Sequence, residues 1–267
     1  MSLLLSILGY NSMLKRILAA SVAYGYSGLL LLTLVYYDRY VEYIWYVFAG
    51  LVILFVIVWL GIIGFRRLKY EHAIMAGSPF LLLVSGLAFF VLADSDFLRI
   101  IEALLVALGL FFILRALYFF FWHSVKYQPN SLQTQIQYIN VVSVFFIATF
   151  LYAVEIFLNV SLWITASVQF ILLAFLLLQH VYIQRLLRKE RMTALVGAVL
   201  LTQVFVSVAF LPFLVYVKGI MFMFIYFVVM ELYEHSLKGI WSRKTVLTLI
   251  ILFFICSGIL LATTPWY

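Results

Sequence analysis

One cysteine, four prolines and ten acidic residues are all that this 267-residue chain holds of those types. A lone cysteine excludes an internal disulfide framework. With so few prolines and only 13 glycines, collagen-like and low-complexity architectures fall as well. Charged residues make up 10% of the chain, against about 25% in an average soluble domain. A water-soluble fold of this size could not cover its surface with so few charges. What is present in excess is apolar: 67% of residues are hydrophobic, 19% are aromatic, and the mean hydropathy is +1.20. The chain reads as an all-α polytopic membrane protein, a transmembrane helical bundle.

A helix needs about 20 apolar residues to cross a hydrocarbon core of about 30 Å. Windows of that size mark nine expected spans. They are Ile17 to Tyr37, Tyr43 to Gly64, Ala73 to Ala93, Phe97 to Phe121, Ile139 to Leu158, Leu162 to Ile183, Thr193 to Tyr216, Gly219 to Ser236 and Thr245 to Thr264. Residues 17–267 thus form one transmembrane helical domain, with 126–138, which holds Gln128-Pro129-Asn130, as a possible mid-chain linker. Residues 1–16 are apolar first and basic last, the reverse of a secretory signal, and read as an interfacial segment.

Basic residues orient the bundle, because Lys and Arg are retained on the cytoplasmic side. With the N-terminus cytoplasmic and the C-terminus extracytoplasmic, fourteen of the 17 fall on the inner side. Only Arg39, Arg99 and Lys218 fall outside, Lys218 in a tight Lys218-Gly219 turn after Pro212. The net charge of +7 is therefore a topology signal with affinity for anionic lipid headgroups, and no nucleic-acid partner is expected.

Small residues at helical spacing (Ser21, Gly25 and Gly28; Gly61 and Gly64; Ser85 and Gly86) predict close helix packing. Ser78-Pro79 leaves two options for the third span: a short helix capped by Ser78, or one that starts earlier and carries the proline inside.

Polar residues within spans are the candidate sites, because placing an ionisable group in a bilayer is costly. Glu102 and Arg115 share the fourth span but are 13 residues apart, so they lie on different faces, roughly 20 Å apart along the axis. Arg115 reads as snorkelling to the interface, whereas Glu102 and Glu155 either share a cavity or are simply solvated. Gln169 and Gln203 lie nearer mid-membrane and are expected to make interhelical hydrogen bonds. Glu231, Glu234, His235 and Lys238 fall on one helical face at the cytoplasmic end of the eighth span. The four histidines, His72, His123, His180 and His235, share that side of the membrane and would make a metal site only if the helix ends converge. His123-Ser124-Val125-Lys126 echoes His235-Ser236-Leu237-Lys238, with His180 between them.

No phosphate-binding loop, nucleophile elbow, zinc-protease helix or Cys-x-x-Cys pair is present. No cofactor is expected. Leu211-Pro212-Phe213, Glu234-His235-Ser236-Leu237, Arg243-Lys244-Thr245-Val246 and Ala262-Thr263-Thr264-Pro265-Trp266 resemble an uncharacterised family of polytopic inner-membrane proteins from small-genome bacteria. That resemblance covers the last quarter of the chain and implies a multi-pass location in the bacterial inner membrane, with no activity to carry over. The sequence favours a non-enzymatic scaffold or assembly subunit that packs against lipids, other membrane proteins or itself. The alternatives are a small-solute or lipid transporter using the intramembrane carboxylates and, third, a metal-binding membrane enzyme.

Overall fold

The protein is described here from a computed structural model that covers residues 21–37, 41–63, 70–122, 131–183 and 188–237, with six further residues between 247 and 258. Eight helices account for nearly all of it, and no strand occurs among the described residues. They are α1 (Ser21–Val35), α2 (Ile44–Ile63), α3 (Tyr70–Leu92), α4 (Asp96–Trp122), α5 (Ser131–Leu158), α6 (Leu162–Ile183), α7 (Arg188–Ala209) and α8 (Val215–Leu237). Seven of these, α2 to α8, are long and apolar enough to cross a membrane, so the chain is a polytopic helical membrane protein. The interfacial segment 1–16 and nearly all of the ninth expected span lie outside the described residues.

Helix ends fall where short polar breaks can satisfy the backbone. Before α4, the Ser95 hydroxyl accepts the Leu98 N–H at 3.2 Å, an N-cap that uses one of the four free amides of the first turn. Between α5 and α6 only three residues remain, and Asn159 takes the left-handed conformation (φ 50°) that ends helices and that asparagine tolerates. The amides of Ile164 and Thr165 then bond back to the Ser161 carbonyl.

One open choice is decided and two expectations are corrected. Helix α3 runs through Pro79, so of the two options the span starts earlier, at Tyr70, and a proline lies within it. Helix α5 begins at Ser131, eight residues before the span predicted for it, so residues 131–138 of the possible linker are helix. Helix α7 ends at Ala209 rather than near Tyr216, and α8 begins at Val215. Pro212 does lie in this break, but Lys218 and Gly219 do not form a turn: they sit in the first turn and a half of α8. Proline removes an N–H and restricts the residue before it, which moves the break to the proline itself.

Two compact units divide the chain, residues 1–139 and 140–267. In the first, Tyr26 of α1 donates to the Leu51 carbonyl of α2 at 3.1 Å and lies against Phe55. Helices α3 and α4 run antiparallel and close together, because glycines face bulky side chains on both. A Cβ built on Gly86 would stand 2.5 Å from Val106 Cγ2, and one on Gly109 would stand 2.8 Å from Leu82 Cδ2. Gly86→Ala is therefore expected to cost about 1–3 kcal/mol through overpacking. Val106→Ala in the same chain should recover much of that loss, as read by thermal inactivation in detergent. An additive double mutant would place the cost elsewhere.

The expected packing role of Gly25 and Gly28 is not met among the described residues. Both lie exposed on α1 with nothing within 4 Å of a built Cβ. They line an open groove of about 730 Å³ with Tyr24, Leu29, Leu32 and Val47. Gly61 is likewise exposed on α2.

In the second unit, α6 and α7 pack most tightly, and the small residues Ala194 and Ala198 with Leu201, Phe205 and Val208 form the buried seam of α7. Helix α8 meets α5 at Gly219, where a Cβ would strike Thr149.

Candidate polar sites within the spans

Arg99 opens the inward-facing stripe of α4, which continues through Ala103, Val106, Ala107 and Leu110. Its guanidinium lies 3.3 Å from Asp96 Oδ1 and 4.4 Å from the centre of the Tyr37 ring, while Tyr37 Oη donates to Asp96 at 3.5 Å. One turn further on, Glu102 is 2% exposed, and neither carboxyl oxygen has a hydrogen-bond partner among the described residues. The antiparallel register set by Gly86 with Val106 and Gly109 with Leu82 puts Glu102 level with Phe89 and Phe90. Phe90 in turn packs edge-on against Tyr37. The carboxyl is thus buried at the level of these rings, an expensive place for an ionisable group. Arg115 is exposed on the same helix, its guanidinium 6.0 Å from the Phe111 ring and 5.7 Å from the Phe119 ring, one turn to either side.

Glu155 belongs to the second unit. It is half-buried, and its Oε2 has no partner among the described residues. One turn before it, Tyr152 is fully buried, stacks on Phe205 of α7 (4.4 Å, 11°) and donates to the Phe205 carbonyl at 3.0 Å.

Lys218 completes this group, and the sequence reading missed it by assigning it to a turn. It is 6% exposed, and its Nζ donates to the Ala209 carbonyl at 2.6 Å. That carbonyl closes α7 and has no N–H four residues on to bond it, because the helix ends there. Glu155 is the carboxylate whose charge Lys218 feels, and the Tyr152 ring centre lies 6.0 Å from its Nζ. Because Gly219 meets Thr149, nine residues before α5 ends, the Lys218 backbone lies roughly 13 Å below that end. A lysine there must reach outward along the bundle to find a carbonyl. The signal available in the sequence was Pro212 six residues earlier: a helix cannot run through it unbroken as readily as it restarts after it.

The two glutamines part company. Gln169 is fully buried on α6, yet neither its carboxamide oxygen nor its nitrogen has a partner among the described residues. The expected interhelical hydrogen bond is absent there among the described residues; the contact of Gly197 with Leu177 puts Phe205 of α7 at the level of Gln169. Gln203 is exposed on α7. It borders a groove of about 670 Å³ with Trp163, Ser167 and Phe170 of α6 and Thr202 and Ser207 of α7. The three hydroxyls each bond a carbonyl one turn back: Ser167 to Trp163, Thr202 to Ala198 and Ser207 to Gln203. The Gln203 carboxamide is left facing outward.

At the other end of the second unit, Asn140 Nδ2 donates to Gln179 Oε1 at 3.4 Å, and the His180 and Tyr233 rings are 6.0 Å apart. Tyr233 Oη donates to the Glu190 carbonyl at 3.1 Å. Glu231, Glu234 and His235 are half-buried on α8, and Lys238 lies outside the described residues. His123 and the His72 side chain also lie outside them, and among the described residues no three of His, Cys, Asp and Glu converge.

No protein-family model, no curated protein and no solved structure matches this chain.

Proposed function

We propose that this protein is a non-enzymatic membrane subunit that packs laterally against other membrane-embedded helices. The observation that carries the reading is the outward Gln203 carboxamide beside an open groove on α6 and α7. Hydrocarbon offers a carboxamide no hydrogen-bond partner, so a polar side chain on that face is explained by a neighbouring helix. The exposed Gly25 and Gly28 face of α1 adds a second surface over which a backbone can approach closely. The same reading takes the N-terminus as cytoplasmic from the basic-residue imbalance, and the inner membrane from the resemblance of the last quarter of the chain. Extraction in mild detergent followed by native mass spectrometry tests it. A discrete assembly larger than one chain is expected. A single chain carrying a stoichiometric small solute and no protein partner would overturn it.

A second reading, solute or lipid transport, has one observation in its favour: the Glu102 carboxyl is closed inside the first unit with both oxygens unpartnered among the described residues. Under it, a hydrophobic carbodiimide should modify Glu102 in native membranes and block flux in proteoliposomes. Glu102→Gln should abolish the labelling while leaving thermal stability equal or higher, because it removes a buried ionisable group whose oxygens accept no hydrogen bond among the described residues. A stability loss of more than about 1 kcal/mol would instead show that the carboxylate is anchored by contacts.

A further inference from the structure

Helix α7 carries two seams on opposite faces. The inner one, Ala194, Ala198, Leu201, Phe205 and Val208, is buried. The outer one, Met192, Val196, Val199, Gln203, Val206 and Phe210, has the same alternation of four- and three-residue steps, though Phe210 lies just past the end of the helix. Met192, Val196, Val199 and Phe210 are 65%, 56%, 44% and 76% exposed. A four-three alternation is the spacing that two helices need to interlock side chains along a shared seam. Here it stands without a partner among the described residues and is apolar at every step but one.

From this we infer that the outer seam of α7 is the contact between two copies of this chain, paired through their Gln203 carboxamides. The inference rests on the lateral-subunit reading and names its partner. Three features select a second copy. Two copies inserted with the same topology present α7 in the same direction, so a two-fold axis along the membrane normal sets each seam residue opposite itself. A carboxamide is both donor and acceptor, so Gln203 facing Gln203 makes a reciprocal pair with nothing left over. A single polar residue at a core position of an otherwise apolar seam is also the device by which paired helices lock register and number. The groove beside the seam, walled by Trp163 and Phe170 of α6, leaves room for the partner's seam side chains.

Cysteine crosslinking in native membranes tests this in a Cys256→Ala background. Single cysteines at Val196, Val199 and Val206 should each give disulfide-linked dimers on mild oxidation. Cysteines at Ile164 and Phe175, exposed on α6 away from the groove, should not. With the Val199 cysteine as reporter, Gln203→Leu should weaken dimerisation about tenfold, and Gln203→Asn should retain most of it. Equal crosslinking at all five positions would overturn the proposal. So would a different protein trapped by a photo-crosslinking residue at position 199 with no dimer formed, an outcome that leaves the lateral-subunit reading standing. Lipid alone at position 199, with only monomer recovered, would overturn both.

Discussion

Gly219→Val is expected to prevent α8 from seating on α5 and to cost about 3 kcal/mol or more, the upper end of overpacking effects. A Cβ at position 219 meets three atoms of one residue: Thr149 Oγ1, Thr149 Cβ at 3.0 Å and Thr149 Cα at 3.3 Å. The backbone atom cannot yield without moving α5. The hydroxyl cannot rotate away freely either, because it donates to the Phe145 carbonyl at 2.8 Å. Thr149→Ala would remove the nearest atom, so it should rescue Gly219→Ala in part and Gly219→Val hardly at all. Yield of monodisperse protein and the temperature of half-inactivation in detergent read the effect. Wild-type behaviour of Gly219→Val would show that α5 and α8 are not held at this spacing.

Lys218→Met is expected to produce the second large loss, about 1.5–3 kcal/mol, the range for a hydrogen bond to a charged group. Methionine keeps the apolar stem and removes the ammonium. The Ala209 carbonyl is then left unpaired at the end of α7, and Glu155 loses a positive charge that it interacts with. Glu155→Gln in the Lys218→Met chain should return part of the loss, since a neutral carboxamide needs no counter-charge. The two effects should therefore couple in a double-mutant cycle. Strict additivity would mean that Lys218 acts on the Ala209 carbonyl alone.

The break residues were readable because they are chemically unlike their surroundings. Asp94-Ser95-Asp96 and Asn159-Val160-Ser161 interrupt apolar runs, and the helices end within a residue or two of them. Lys218 misled for the same reason: in a chain this apolar, a lysine looks like a boundary. The physics allows another outcome, in which the long stem reaches outward to a free carbonyl while the backbone stays in the helix. Pro79 was ambiguous because proline suits a first turn and is tolerated within a membrane helix whose neighbours steady it.

The membrane class follows from composition alone, since a chain with 10% charged residues and repeated 20-residue apolar runs has no aqueous fold open to it. The all-helical form follows too, because backbone polar groups in hydrocarbon must be satisfied within each segment or within a closed barrel, and these runs are far longer than barrel strands. Which face of each helix turns inward was decided only by tertiary packing. Lipid tails are as apolar as leucine, so these helices carry little contrast between inside and outside to be read along the chain. Gln169 and Gln203 show the consequence: one residue type on two adjacent helices, buried in one case and exposed in the other. The difference between them is the rotation that α6 and α7 adopt where they pack together, with Gly197 against Leu177.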